Sequence, residues 1–305
     1  GAAFANKRSG NHIITTSVEH PAVSQPALFL QEQGFEVTYL PVDSRGVVKM
    51  DALKAVLRED TILVSVMYVN NEVGAVMPVE EIAALVHEKS PKALFHVDAI
   101  QAFGKYRIYP KKMGIDLLSV SGHKIHGPKG VGFLYIRSGV KIKPLIYGGG
   151  QQNNLRSGTE NVPGAAGLGV AAKEMYTDHE EKIRRLTELK DYMIDRLGEI
   201  EGTLVNSKKG TESAPQIVSV SFEGVRSEVL LHALEDKGIY VSSGSACSSH
   251  HPGISGTLKG IGLAQKYLDA TIRISFGIFN TKEEIDYCID TLKELLPVLR
   301  RYQRG

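Results

Sequence analysis

Short apolar runs alternate with amphipathic stretches through the first half of the chain. The run His12–Val18 predicts a strand. Pro21 opens a helical stretch to about Gln33, and Gly34 supplies its stop signal. Phe35–Pro41 reads as a second strand, Asp43–Gly46 as a turn and Asp51–Arg58 as a short helix. Thr61–Val69 is a β-branched apolar run of the length of a buried strand. Pro78–Lys89 puts Val79, Ile82, Ala83 and Val86 on one helical face. Ala93–Val97, Ile115–Val120 and Val131–Ile136 are further strands. Strands alternating with helices predict a mostly parallel sheet covered on both faces.

The pattern changes near Asn161. From there to Ile200 the chain reads as helical, with a break near Thr177–Asp178. Glu180–Arg196 is rich in charge and has few apolar positions, so it predicts a surface or linking helix. A strand at Ile217–Phe222, a helix at Ser227–Lys237 and strands near Ile239–Ser242 and Ile272–Ser275 follow. Thr281 with Glu284 three residues on is a capping box, opening a last helix that runs to about Tyr302. The expected organisation is a large α/β domain over residues 1–176 and a smaller α+β domain over 177–305. There is no internal repeat or low-complexity tract.

Composition narrows the function classes. The 305 residues are 42% hydrophobic and 23% charged, which excludes disordered, collagen-like and coiled-coil chains. A net charge of +2 gives no basis for nucleic-acid or membrane-surface binding. The two cysteines, Cys247 and Cys288, cannot form a disulfide scaffold and favour a reducing compartment. No apolar run reaches the ~20 residues of a membrane span, and residues 1–10 do not read as a signal peptide. The expectation is a cytoplasmic protein.

Five stretches could carry chemistry. Ser119-Val120-Ser121-Gly122-His123-Lys124 places a lysine just past a strand's C-terminal end, where α/β sheets bind ligands. A partly desolvated lysine there can form a Schiff base, although a loop lysine is ordinarily just solvated. Asp98 ends the apolar stretch Phe95-His96-Val97, where a carboxylate needs a cation or strong donor. A pyridinium nitrogen fits it, and so does the plainer role of helix N-cap. Cys247 lies among small polar residues, in Ser242-Ser243-Gly244-Ser245-Ala246-Cys247-Ser248-Ser249, as a reactive thiol does. An inert cysteine in a serine-rich turn accounts for the stretch equally well. Cys288 falls on an apolar helix face and reads as packing. Arg273 is a candidate carboxylate clamp, or an arginine that its strand points to solvent. Asn70-Asn71-Glu72-Val73-Gly74, Gly148-Gly149-Gly150 and Arg156-Ser157-Gly158-Thr159 are turns of a kind that suits phosphate. His20, in Glu19-His20-Pro21, could stack on an aromatic ligand.

Ser-Gly-His-Lys, His-Val-Asp-Ala-x-Gln, Asn-Asn-Glu-x-Gly, Arg-Ser-Gly-Thr-Glu-Asn and Ser-Ser-Gly-Ser-Ala-Cys all occur here, and in one order. With them the chain resembles the pyridoxal-phosphate-dependent cysteine desulfurases, from Gly10-Asn11-His12 to Thr281-Lys282-Glu283-Glu284. The resemblance implies a fold-type I transferase, with a mostly parallel sheet of the seven-stranded type in the large domain. It implies that Lys124 holds pyridoxal 5'-phosphate and later moves protons. Asp98 would pair with the ring nitrogen, Gln101 with the phenolic oxygen, and His20 would stack on the ring and assist proton transfer as a catalytic residue. Ser121 and His123 would contact the phosphate, and Thr159 the phosphate of the neighbouring subunit of a homodimer. Asn71 and Arg273 would hold the carboxylate of L-cysteine. Cys247 would take its sulfur as a persulfide, leaving alanine, and pass it to an acceptor such as an iron–sulfur scaffold protein. The Ser-Ser-Gly-Ser-Ala-Cys stretch resembles the branch with the longer sulfur-carrying loop.

Members of that family carry a further segment before the position of Gly1, with a glycine-rich turn that cups the phosphate. The expectation is therefore a large domain lacking its N-terminal part. Two other readings stand beside a desulfurase. One is a related selenocysteine lyase or aminotransferase, which Cys247 discriminates. The other is a non-catalytic dimerisation or binding module free of cofactor. A metal site from Cys247, His250 and His251 lacks any usual zinc spacing, and no metal is expected.

Overall fold

Short apolar runs become the strands of two separate sheets, and the stretches of helical period become the helices beside them. The computed structural model describes residues 1–243 and 255–301. The chain divides into two units. The first comprises Gly1–Pro41, Val48–Val69 and Met77–His179, and the second comprises Val42–Val47, Asn70–Val76 and the chain from Glu180 onward.

In the first unit six strands form one sheet: β1 (His12–Thr16), β2 (Glu36–Leu40), β3 (Thr61–Met67), β4 (Leu94–Asp98), β5 (Leu117–Ser121) and β6 (Gly132–Ile136). Their order is β2-β1-β3-β4-β5-β6. The first five are parallel and β6 is antiparallel to β5. This is the mostly parallel sheet that the alternating pattern predicts. The helices are α1 (Ala2–Asn6), α2 (Pro21–Glu32), α3 (Met50–Val56), α4 (Val79–Lys89) and α5 (Val162–Tyr176). Every residue of β3 except Leu63, and of β4 except His96, is buried, as strands covered on both faces must be. The predicted face of α4 is the buried one: Val79, Ile82, Ala83 and Val86.

The second unit contains α6 (His179–Leu197), β7 (Thr203–Val205), β8 (Ile217–Phe222), α7 (Ser227–Glu235), β9 (Ser242–Ser243), α8 (Gly256–Gly260), α9 (Gln265–Leu268), β10 (Thr271–Ser275) and α10 (Lys282–Arg301). Its sheet is antiparallel throughout, in the order β7-β8-β10-β9. The capping box is present: Thr281 Oγ1 accepts from the Glu284 N–H, and a Glu284 carboxylate oxygen accepts from the Thr281 N–H. The expectation that α6 is a surface or linking helix is corrected. Leu186, Leu189, Met193 and Leu197 are buried in the core with Val220, Phe222 and Ile289. These four recur at helical spacing, and Lys190 beside them is buried too, its Nζ donating to the Gly210 and Ser213 carbonyls.

Two short excursions differ from the simple division near residue 176. Residues 70–76 group with the second unit because they are bonded into it. Ala75 bridges Ser213, the Ala214 N–H donates to the Gly74 carbonyl, and Ser207 Oγ donates to the Val73 carbonyl. Asn71 therefore belongs to the second unit although β3, the strand that precedes it, belongs to the first.

Asp116, buried just before β5, ties three strands of the first unit. It accepts from the Phe95 N–H at 2.7 Å and pairs with Arg137, which directly follows β6. Asp116→Ala leaves a buried N–H without an acceptor, at a cost of about 1–3 kcal/mol. The urea midpoint of unfolding is expected to fall accordingly. An unchanged midpoint would show that this tie does not hold the strands.

Candidate active site

Parallel strands end on one edge of their sheet, so the segments after β1, β4 and β5 emerge together there. They carry His20, Asp98 and Lys124. Asp98 is the last residue of β4, in register with Met67 of β3 and Ser119 of β5. It is 5% exposed. Its carboxylate accepts from the Ile100 N–H at 2.9 Å, which caps a turn and not a helix. Among the described residues no lysine or arginine is ion-paired with it. Burial pushes its carboxyl above the usual range, and the nearby His20 opposes this.

His20 is the N-cap of α2. Its Nδ1 accepts from the Ala22 N–H at 3.1 Å, so the neutral ring carries its proton on Nε2. Gln101, three residues beyond Asp98, is half-buried.

Lys124 is half-buried, on a one-turn 3-10 helix, Gly122–Ile125, directly after β5. That turn is locked. A Cβ on Gly122 would lie 3.1 Å from Leu168 Cδ1 and 3.2 Å from the Val131 carbonyl oxygen, so only glycine sits there freely. His126 closes the turn in the left-handed region at φ 63°, with its N–H donating to the Gly122 carbonyl. Lys105 Nζ donates to the Lys124 carbonyl at 2.9 Å. Lys105 is buried, and burial together with the charge of Lys124 pulls its amine down to about 8. Ser121 Oγ and His123 Nδ1 are 2.7 Å apart. Burial, with the charges of Lys124 and Lys129, lowers the pKa of His123. Thr159 is exposed, in the loop before α5.

A second cluster lies within the second unit. Arg273 NH1 donates to the Asn71 carbonyl at 2.7 Å and NH2 to Ser242 Oγ at 3.2 Å, while its buried Nε has no hydrogen-bond partner among the described residues. The guanidinium is thus held inward, not pointed to solvent. Asn70 Oδ1 accepts from the N–H groups of Glu72 and Val73, shaping the turn that presents Asn71. Glu72 accepts from Ser255 Oγ at 2.5 Å, and burial raises its pKa.

The structure thus gathers His20, Asp98, Gln101, Ser121, His123 and Lys124 in the first unit, and Asn71 with Arg273 in the second. Cys247, His250 and His251 lie outside the described residues. Cys288 is buried on α10, and burial pushes its thiol up to about 11, so it is inert, as its packing position predicts. Lys105, His96 and Glu19 carry no role that the sequence assigns. Their signal is a lone polar residue at or beside an apolar strand or turn, which spacing alone does not separate from solvated positions.

The first unit's donor set fits pyridoxal phosphate. Asp98 is a buried carboxylate in want of a cation, which a protonated pyridine nitrogen supplies. A hydroxyl, an imidazole and an amine sit together on the neighbouring strand end, where a phosphate and an aldehyde can be met.

The aminotransferase class-V family model matches residues 2–288. A cysteine desulfurase IscS from Methanosarcina thermophila is 46% identical over 300 residues, covering 98% of this chain and 74% of that protein. A solved NifS-like protein superposes with a TM-score of 0.90 at 40% identity, over 98% of this chain and 78% of the other. A solved structure of SspA in complex with cysteine matches at a TM-score of 0.75 and 33% identity, over 92% of this chain and 78% of the other.

One pH dependence follows from the core beside the site. His96 lies between Ser65 Oγ at 2.8 Å and Ser119 Oγ at 2.9 Å, and burial lowers its pKa from 6.5 to about 4. Between those values the unfolded chain takes up a proton and the folded one does not, so stability falls as pH drops from 6.5 to about 4. A His96→Asn variant is expected to lose less stability over that window, measured by urea unfolding. Equal slopes would contradict the assignment.

Proposed function

The chain belongs to the aminotransferase class-V family, and we propose that it is a pyridoxal-phosphate-dependent cysteine desulfurase. In this reading L-cysteine is converted to L-alanine and its sulfur leaves as a persulfide on Cys247. The observation that carries it is the pairing of strand ends in the first unit. Asp98, buried and without an ion-pair partner among the described residues, is one strand away from the locked turn that bears Lys124. The named relatives, cysteine desulfurases among them, support the choice within the family.

The residues take these roles. Lys124 tethers the cofactor and moves a proton at the substrate carbon. Asp98 would keep the ring nitrogen protonated, Gln101 would donate to the phenolic oxygen and His20 would stack on the ring. Ser121 and His123 hold the phosphate. When bound, pyridoxal phosphate supplies an electron sink that makes bonds at the substrate carbons labile. Asn71 and Arg273 hold the substrate carboxylate, for which a planar guanidinium is suited. The Cys247 thiolate attacks the substrate sulfur. The Cβ–S bond breaks, its electron pair passes to carbon, and Cβ takes a proton to complete alanine.

Thr159 reaching the phosphate of a neighbouring subunit makes the active form a homodimer. The persulfide then goes to a sulfur-acceptor protein, such as an iron–sulfur scaffold, in the cytoplasm. No described helix is long and apolar enough to cross a membrane.

Borohydride reduction of the cofactor-loaded protein, followed by peptide mapping, is expected to label Lys124, and Lys124→Ala to lose both label and sulfide release. Cys247→Ala is expected to abolish sulfide release from cysteine while keeping cofactor binding. A colourless, unlabelled wild-type protein would overturn the cofactor reading. Sulfide release at the wild-type rate without Cys247 would overturn the persulfide role.

A further inference from the structure

Glu19 precedes His20 on the segment between β1 and α2. Its Oε1 accepts two hydrogen bonds, from Thr16 Oγ1 at 2.7 Å and from the Met67 N–H at 3.0 Å. Thr16 ends β1, and Met67 ends β3 in register with Asp98. The carboxyl therefore joins the ends of two adjacent strands, next to the strand that carries Asp98. Its other oxygen, Oε2, is shut from solvent and has no hydrogen-bond partner among the described residues.

That asymmetry decides its charge. Both donors sit on Oε1, so an ionised group would leave Oε2 as a buried, unpaired negative oxygen, which is strongly unfavourable. It would also place a second negative charge near Asp98. Two like charges in a shared low-dielectric region do not both ionise. A proton on Oε2 removes the charge from both, at the smaller cost of a buried O–H with no acceptor among the described residues, and leaves the two bonds to Oε1 intact.

We propose that Glu19 is a positioning residue of the cofactor site: an acid that keeps its proton, it clamps the turn carrying His20 to the end of β3 and leaves the negative charge to Asp98. The proposal rests on the reading of the β4 and β5 ends as a pyridoxal phosphate site. Burial lifts the Glu19 carboxyl to about 8, against the two hydrogen bonds, and Asp98 is the charged group that adds to the rise. His20 is then pinned on both sides. Its ring takes the Ala22 N–H, while the residue before it is tied to Thr16 and Met67. The direction of the linkage is definite. A carboxyl raised on folding makes the folded state less stable as pH climbs from 4.5 to about 8.

The test compares Glu19→Gln with Glu19→Ala in the full chain. Glutamine keeps the carbonyl oxygen for Thr16 and Met67 and is neutral without a proton. In the cofactor-free protein near neutral pH, the wild-type minus Glu19→Gln infrared difference is expected to contain the carbonyl stretch of a protonated carboxylic acid. Glu19→Gln is expected to keep the His20 imidazole NMR resonance. Its pyridoxal phosphate affinity, by fluorescence titration, should stay within about twofold, a change well below that of a lost hydrogen bond. Glu19→Ala is expected to shift that resonance and weaken the affinity by about tenfold, the effect of one buried hydrogen-bonding group.

Absence of the infrared band would overturn the proposal. So would a Glu19→Gln variant as impaired as Glu19→Ala, or a Glu19→Ala variant with an unchanged His20 resonance. If Glu19→Ala does not fold, the band and Glu19→Gln still decide. A wild-type chain that takes up no pyridoxal phosphate would defeat the proposed function, but the band and the His20 resonance would still judge Glu19.

Discussion

A carboxylate buried at the end of a strand is stable only when something positive comes to meet it. Asp98 is such a carboxylate. It is 5% exposed, it accepts one backbone N–H from Ile100, and no lysine or arginine is ion-paired with it among the described residues. In an isolated chain that arrangement is a cost, since desolvation disfavours the charge and a single amide repays little of it. The sheet enforces it all the same. Register fixes Asp98 beside Met67 and Ser119, so it cannot withdraw without unpairing β4. In the proposed function a cationic ring nitrogen offsets that cost.

The neighbouring titratable groups are arranged so that this charge stands apart. His96, two residues back on the same strand, is driven to about 4 and is neutral at physiological pH. Glu19, on the segment after β1 and bonded to the Met67 N–H at the end of β3, is driven to about 8 and keeps its proton. The amines lie one strand over, where Lys105 donates to the carbonyl of Lys124, and the pair Ser121 and His123 sits beside that turn. Negative and positive ends are thus separated along the sheet edge. That layout suits a ligand with a basic ring nitrogen, an aldehyde and a phosphate.

Much of this fold was legible in the residues. The β-branched run ending at Met67 and the apolar run ending at Asp98 could hardly be anything but buried strands, and Pro21 with Gly34 marked α2. Three things were not legible. The inward face of α6 was hidden because Glu188, Lys190 and Asp191 fall among Leu186, Leu189 and Met193. The three-residue strand β7 has too few residues to show a period. The transfer of residues 70–76 to the second unit depends on Ser207, Ser213 and Ala214, more than a hundred residues away in sequence. In the site, Lys124, Asp98 and Arg273 stood out because charge ended or interrupted apolar strands. Lys105 and Glu19 did not, since their meaning lies in which backbone groups they reach. Cys247 is legible in the sequence alone, as it lies outside the described residues.

The central claim is that the charge on Asp98 is there to hold a proton on a bound pyridine ring. It is tested most directly by the NMR shift of the ring nitrogen in 15N-labelled pyridoxal phosphate bound to the protein. The account predicts a protonated nitrogen throughout the physiological pH range. A ring nitrogen that is unprotonated at neutral pH in the bound state would contradict it.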